Sequence, residues 1–378
     1  MKIGFYSHNF NVLGKYWENL KDIADCWWGV PDPKLNDLLI EKKIKNIVFC
    51  EEKFEKDLSV KKGNMYRSTD KITAQKKIAE EINPDLWIVD TANKLNHYST
   101  KSLRVQTFHT LPLKKFNFFE PVLNYDLLLL PGKFHKEEFI KRFKNKVNLE
   151  KLKIVGWPQV DDLINGSFSR DQILKDLKLD PQKKTIMYAP TWGWGNGNIS
   201  LFCRNLGKEK EVFTKLCEHA SKNNLNLIIR LHSLSFAAEN KELIKIANKH
   251  GVLWQTSSTQ NFRDDPNKFL WITDILISDI SGIITEFLVL DRPIIYIDPD
   301  DENNPWIDSD MPKDFRAGNI VKTFNDLKNS IDDALKNPKK FSKKRNQIKN
   351  YIYSYTSGKS TEMACNTIIE FAKNNGLK

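Results

Sequence analysis

The stretch Ile275-Leu276-Ile277-Ser278-Asp279-Ile280-Ser281-Gly282-Ile283-Ile284-Thr285-Glu286-Phe287-Leu288 decides the fold class. A short apolar run, Ile275–Ser278, stops at a small polar turn and resumes as a helical pattern. That is strand, turn, helix, half of a βαβ unit. The same grammar recurs outward in both directions. Toward the N-terminus it predicts strands at Lys2–Tyr6, Asn46–Cys50, Leu86–Val89, Arg104–Thr107, Leu127–Leu130, Lys153–Val155, Thr185–Ala189, Leu225–Leu231 and Val252–Trp254; toward the C-terminus, at Pro293–Ile297. Helical patterns lie between them, such as Glu209–Lys222 with Val212, Phe213, Leu216 and Cys217 on one face. The expected class is α/β, two parallel-sheet domains of the Rossmann type with helices on both faces.

The chain has 378 residues, enough for two domains. Gly156-Trp157-Pro158 and the polar stretch from Asn165 to Asp180 punctuate it near the middle. The expected division is 1–160, 161–340 and a helical C-terminal segment, 341–378, packing back across the cleft. Hydrophobic residues make up 40% and charged residues 28%, an ordinary globular balance that excludes disordered and collagenous classes. The formal charge of +11 suggests an acidic partner. Five scattered cysteines without a CxxC pair argue against a zinc ribbon or a disulfide framework. With no stretch of about 18 apolar residues and no signal-peptide pattern at the N-terminus, the expected location is cytoplasmic.

Ligands of open α/β sheets bind at the carboxyl ends of strands. Four predicted strands end in chemically useful residues: His109; Thr191 and Trp192; His232; and Asp279 with Ser281. These would open toward one cleft if the two domains face each other. A histidine at such a position can take a proton from a hydroxyl, the reading for His109, against the plainer one of a hydrogen-bonded loop histidine. His232 can stabilise a phosphate oxygen with Arg230 assisting, and the same plain reading competes. Ser281, at a helix start, can cap or bind phosphate, and Glu286 can accept from ribose hydroxyls. His219 and His250 fall in polar helical patterns and are expected to be solvated. Ser357-Gly358-Lys359-Ser360-Thr361 looks like the end of a P-loop, but Tyr353 stands where a Walker A motif needs glycine. Gly358–Thr361 still reads as an anion-binding helix start. No metal-ligand cluster is evident, so no tightly bound cofactor is expected.

Taken in order, Gln106-Thr107-Phe108-His109-Thr110-Leu111-Pro112-Leu113-Lys114, Gly156-Trp157-Pro158-Gln159-Val160-Asp161, Tyr188-Ala189-Pro190-Thr191-Trp192, Arg230-Leu231-His232, Ser278-Asp279-Ile280-Ser281, Asp291-Arg292-Pro293 and Gly358-Lys359-Ser360 resemble the CDP-glycerol glycerophosphotransferase family, the teichoic-acid primases and polymerases. The corresponding family patterns are QTWHGTPLK, GYPRND, YAPTWR, RxHP, SDYSS, a helix ending in a basic-Pro pair, and DGKSSE. Each is short, but seven stand in register over about residues 100–365. The resemblance implies a GT-B-like fold with the active site between two domains, and transfer of a polyol-phosphate from a CDP-activated donor to an acceptor hydroxyl with release of CMP. It makes His109 the general base and His232 the group that stabilises donor phosphates. Thr191, Arg230, Ser278, Asp279, Ser281, Glu286, Gly358, Lys359, Ser360 and Thr361 become donor-binding residues. The first domain would hold the acceptor, a polymer or lipid-linked glycan. The chain departs from the patterns at Thr110, Gln159, Gly193, Ser233 and Gly282, losing two arginines, which leaves glycerol, ribitol or a sugar open as the donor's cargo.

The alternatives are a GT-B glycosyltransferase or nucleotide-sugar 2-epimerase using a UDP- or CMP-sugar, and a non-catalytic binding protein. Nucleic acid is not an expected partner, because the basic residues do not interleave with an RNA-binding aromatic motif. The basic runs Lys141–Lys146 and Lys339–Arg345 read either as solvated faces or as attraction to an anionic membrane surface or a phosphate polymer.

Overall fold

The computed structural model describes residues 1–7, 10–52, 54–56, 66–68, 71–91, 101–109, 111, 118, 120–190, 209–232, 240–257, 265–279, 281–297 and 315–378. Two compact units divide the chain. The first comprises the described residues up to Asn165 together with Asn350–Lys378, and the second the described residues from Gly166 to Lys349.

The first unit contains β1 (Lys2–Tyr6), α1 (Phe10–Leu20), β2 (Asp25–Val30), α2 (Pro33–Glu41), β3 (Ile47–Phe49), a small antiparallel pair β4 (Phe54–Lys56) and β5 (Tyr66–Ser68), α3 (Lys71–Ile82), β6 (Leu86–Val89), β7 (Leu103–Gln106), β8 (Leu127–Leu130), α4 (Lys133–Phe143), β9 (Leu152–Ile154) and α5 (Asp161–Asn165). Seven strands form one parallel sheet in the order β3-β2-β1-β6-β7-β8-β9. The sequence reading has no strand at Asp25–Val30. Its Cys-Trp-Trp-Gly core lacks the β-branched signal, and the strand exists through tertiary packing instead. Trp28 is fully buried and stacks on Phe5 at 5.3 Å and on Phe10 at 5.5 Å between ring centroids.

The second unit contains α6 (Arg170–Asp176), β10 (Thr185–Tyr188), α7 (Glu209–Lys222), β11 (Asn226–His232), α8 (Lys241–Lys249), β12 (Leu253–Ser257), α9 (Pro266–Ile272), β13 (Ile275–Ser278), α10 (Ile283–Phe287), β14 (Ile294–Ile297), β15 (Asn319–Val321) and α11 (Phe324–Lys336). Its six strands are parallel in the order β12-β11-β10-β13-β14-β15. This is the doubly wound order, reversing direction between β10 and β13. The apolar stripe expected on α7 is buried, with Val212, Phe213, Leu216 and Cys217 packed on Ile186, Ile229 and Ile277. A further helix, α12 (Ser342–Ile352), crosses the boundary between the units, and α13 (Ser360–Asn374) belongs to the first. Residues 350–354 dock on the β8–α4 turn. Ser354 donates its N–H to the Pro131 carbonyl at 3.2 Å, and Lys133 N–H donates to Ser354 Oγ at 3.0 Å. The close approach requires Gly132, since a Cβ there would strike the Ile352 carbonyl oxygen.

His219 is not solvated. It is 7% exposed, its Nδ1 accepts from Asn223 Nδ2 at 3.1 Å, and its Nε2 lies 3.2 Å from Asp332 Oδ1. Burial lowers its pKa despite that carboxylate. His135 on α4 is fully buried, and burial drives its pKa down from 6.5 to about 3. Both imidazoles are thus neutral in the fold, whereas the unfolded chain binds protons as pH falls below 6.5. Their share of stability is present above that pH and is lost on acidification, at up to about 1.4 kcal/mol per pH unit for His135. Urea unfolding at pH 7.5, 6 and 5 measures this. His135→Leu is expected to flatten the pH dependence, and an unchanged slope would remove His135 as its cause.

Candidate active site

A parallel sheet delivers all its strand ends to one rim, and the reversal in strand order opens a crevice there. In the first unit the reversal lies between β1 and β6. Tyr6 pairs with Val89, so the next residues along, Ser7 and Asp90, are neighbours at the rim. Ser7 Oγ donates to Asp90 Oδ2 at 2.5 Å, and Thr91 Oγ1 donates to Asp90 Oδ1 at 3.0 Å. Beside them Tyr6 donates its hydroxyl to Glu52 Oε1 at 2.6 Å. Burial and the adjacent Glu52 push the Tyr6 pKa far up, so it stays a donor. Ser7, Glu52 and Asp90 are all buried.

The neighbouring strand, β7, ends at Gln106, and His109 follows three residues later. Its Nδ1 lies 3.4 Å from the Asp90 carbonyl oxygen. A carbonyl only accepts, so this contact calls for a proton on Nδ1; in the neutral ring Nε2 then carries the lone pair, the tautomer a base needs. The bond is long, as is common before substrate tightens a site. The sequence reading put His109 at this rim but missed Ser7, Tyr6, Glu52 and Asp90. A signal was there: Ser7 and Asp90 directly follow correctly expected strands.

The turn Gly358–Thr361 is also in the first unit, and its helix start is already occupied. Asp161, the last residue of Gly156–Asp161, accepts from Ser360 N–H at 3.0 Å, Thr361 N–H at 2.7 Å and Thr361 Oγ1 at 2.7 Å. Asn165 Nδ2 donates to the Gly358 carbonyl at 3.0 Å. Gly358 has φ +72°, and a Cβ on it would collide with the Asn165 side chain. The anion at this helix N-terminus is thus the chain's own carboxylate. Lys359 is exposed beside it.

In the second unit the reversal lies between β10 and β13. There Ser278 is fully buried and spends its hydroxyl on the Ala189 carbonyl at 2.6 Å, tying the two strand ends together. Asp279, Ser281 and Glu286 follow, all half-buried. Ser281 does not cap α10: the cap position is Gly282, without a side-chain bond, and the helix has only five residues. Arg230 on β11 is 5% exposed, with its guanidinium 4.2 Å from the centre of the Phe269 ring. His232 is the last residue of β11; its side chain lies outside the described residues, as do Thr191, Trp192, Thr110 and Lys114.

The basic runs are largely neutralised within the chain. Arg142 and Lys141 pair with Glu138, Lys146 with Glu120, and Lys340 with Asp333. Lys339 and the buried Arg345 both meet Asp291. Cys26, Cys50, Cys217 and Cys365 are free thiols. Among the described residues no helix is long and apolar enough to cross a membrane.

The chain belongs to the CDP-glycerol:poly(glycerophosphate) glycerophosphotransferase family, whose sequence profile it matches over residues 6–370. It is 28% identical over 214 residues to the teichoic acid ribitol-phosphate polymerase TarL of Staphylococcus aureus (strain NCTC 8325 / PS 47), a match covering 53% of this chain and only 33% of that relative. The fold is that of the wall teichoic acid polymerase TagF, with a TM-score of 0.67 at 18% identity, covering 99% of this chain and 89% of that one. It is also shared with the UDP-GlcNAc 2-epimerase from Neisseria meningitidis, at a TM-score of 0.58 and 14% identity over 98% of this chain and all of that one. The GT-B-like, doubly wound architecture expected from the sequence is therefore the observed one.

Because Asp161 satisfies two main-chain donors of α13, Asp161→Ala leaves them unpaired in a buried place. It is expected to cost about 1–3 kcal/mol in urea unfolding. Wild-type stability in that variant would show that the carboxylate is not what holds α13.

Proposed function

We propose that this chain moves a polyol-phosphate unit from a CDP-activated polyol to an acceptor hydroxyl of a teichoic-acid-type polymer, releasing CMP. The observation that carries the reading is His109 at the rim of the first sheet, with Nδ1 3.4 Å from the Asp90 carbonyl oxygen, a contact that in the neutral ring leaves the lone pair on Nε2. In the proposed step the acceptor oxygen attacks the phosphorus bearing the polyol. The bond from that phosphorus to the CMP oxygen breaks, CMP takes the bonding pair, and His109 Nε2 takes the hydroxyl proton. Phosphoryl transfer asks the protein mainly for positioning and charge stabilisation. His232 and Arg230 are the proposed electrostatic partners of the donor phosphates, with Thr191, Asp279, Ser281, Glu286 and Lys359 as further donor contacts. Ser278, Gly358, Ser360 and Thr361 serve by shaping the backbone, since their local bonds lie within the chain.

The family description prints glycerophosphate and a relative's name prints ribitol-phosphate, so both CDP-polyols are candidate donors. The acceptor is a growing polymer or a lipid-linked glycan. A reaction fed by a soluble nucleotide donor belongs at the cytoplasmic side of the membrane. The exposed Lys144, Lys343 and Lys344, without an ion pair among the described residues, are what remains of the basic runs for an anionic polymer or membrane surface.

The test is CMP release from CDP-glycerol and CDP-ribitol in the presence of acceptor. His109→Ala is expected to lower turnover about 10²–10⁴-fold while CMP affinity, read by thermal shift, stays as in the wild type. Loss of CMP binding with turnover intact would overturn the base assignment. Stronger stabilisation by UDP or UDP-sugars than by CMP or CDP-polyols would favour the nucleotide-sugar alternatives.

A further inference from the structure

We propose that Gln106 is a positioning residue for His109, acting through a left-handed turn at Phe108; this rests on the reading of His109 as the base. Phe108 has φ +60°, a conformation that a bulky side chain adopts only when its surroundings hold it there. Two anchors do so. The ring is 1% exposed and packs against Phe139 of α4 at 6.3 Å between centroids. The Phe108 N–H donates to Gln106 Oε1 at 2.8 Å, a buried bond spanning two residues.

The neighbouring links are fixed as well. Thr107 gives both its N–H, at 2.9 Å, and its Oγ1, at 3.2 Å, to the Val89 carbonyl. Thus every step from the end of β7 to the imidazole has a partner on β6 or within the turn, and the turn delivers His109 Nδ1 to the Asp90 carbonyl. Without the left-handed residue the chain would continue along the strand direction, away from it.

The Gln106 amide is itself unusual. It is fully buried, and its Nε2 makes no hydrogen bond among the described residues. A buried amide with its donors unspent is a poor choice for stability alone, because apolar side chains of the same length avoid that desolvation. Among the described residues the one bond this side chain makes is the bond that shapes the turn, and a functional demand on the turn explains keeping it.

The experiment reads the His109 tautomer by long-range ¹H–¹⁵N correlation on histidine-labelled full-length protein, alongside steady-state kinetics. Wild type is expected to show His109 as the Nδ1–H tautomer. Gln106→Met keeps the length and removes the acceptor, so the His109 signal is expected to shift toward the mixture of free imidazole. Gln106→Glu, which retains an oxygen at the same place, is expected to restore the wild-type pattern. With a CDP-polyol donor, Gln106→Met is expected to lower kcat on the order of 10–100-fold at unchanged donor KM. A folded Gln106→Met protein with the wild-type tautomer would overturn the assignment. If the Met variant does not fold, Gln106→Asn, whose shorter side chain withdraws the oxygen from the Phe108 N–H, carries the same expectation and the same overturning result. Should the wild type turn over no CDP-polyol, the transferase reading falls, while the tautomer still decides the role of Gln106.

Discussion

The hydrogen bond from Ser7 to Asp90 stands at the one place in the first sheet where the strand order turns back on itself. A parallel sheet wound in both directions from its centre leaves neighbouring strand ends there without a common covering helix, so polar groups at that point must satisfy one another or a ligand. Ser7 and Asp90 do the former with their side chains. That leaves the Asp90 main-chain carbonyl to receive His109. The second sheet meets the same constraint with other means, a serine hydroxyl on a main-chain carbonyl, Ser278 on Ala189. In both sheets one side-chain hydrogen bond thus ties the strand ends at the switch point, and the proposed functional residues His109 and Arg230 lie just past or on the next strand over.

Such placement explains what could be read in the sequence. Strand ends were legible because short apolar runs such as Leu86–Val89 and Ile275–Ser278 stop abruptly, and His109 and Asp279 stand just past stops of this kind. The conformation of Phe108 was not legible, since nothing in Phe-His signals a positive φ and it is ring packing on Phe139 and the Gln106 bond that enforce it. The strand at Asp25–Val30 was hidden for a related reason, its stability coming from Trp28 stacking rather than from local propensity. The turn at Gly358–Thr361 was read as an anion site, and the physics was right. What the sequence could not show is that Asp161, far away in the chain, already supplies the anion.

Net charge gave a similar lesson. An excess of +11 suggests an acidic partner, yet Glu138, Glu120, Asp333 and Asp291 absorb much of the two most basic runs. Arg345 is the extreme case. It is 1% exposed and donates to the Asp291 carboxylate as well as to the Asp291 and Pro338 carbonyls. Those bonds hold Asp291 in its left-handed conformation, φ +49°, just ahead of Pro293 and β14. The carboxylate is kept below its usual pKa by the Lys339, Ser342 and Arg345 bonds, which outweigh the opposing effect of burial. Arg292, one residue on, donates to the Trp271 and Thr273 carbonyls. The basic-Pro motif is accordingly a structural joint in this chain.

The histidines make the functional argument sharper. His135 and His219 are buried and held neutral by desolvation, so neither is placed to exchange a proton with a substrate. His109 is half-buried at a rim lined by hydroxyls and two buried carboxylates, Glu52 and Asp90. Buried carboxylates repel phosphate and attract hydroxyl hydrogens, so this rim suits a neutral acceptor alcohol better than a nucleotide. At the second rim the buried group is Arg230, a fixed positive charge beside an aromatic face, while the acidic Asp279 and Glu286 are partly solvated and screened. That rim suits donor phosphates. This division of charge supports the proposed transfer, in which His109 meets the acceptor hydroxyl and Arg230 the donor phosphates.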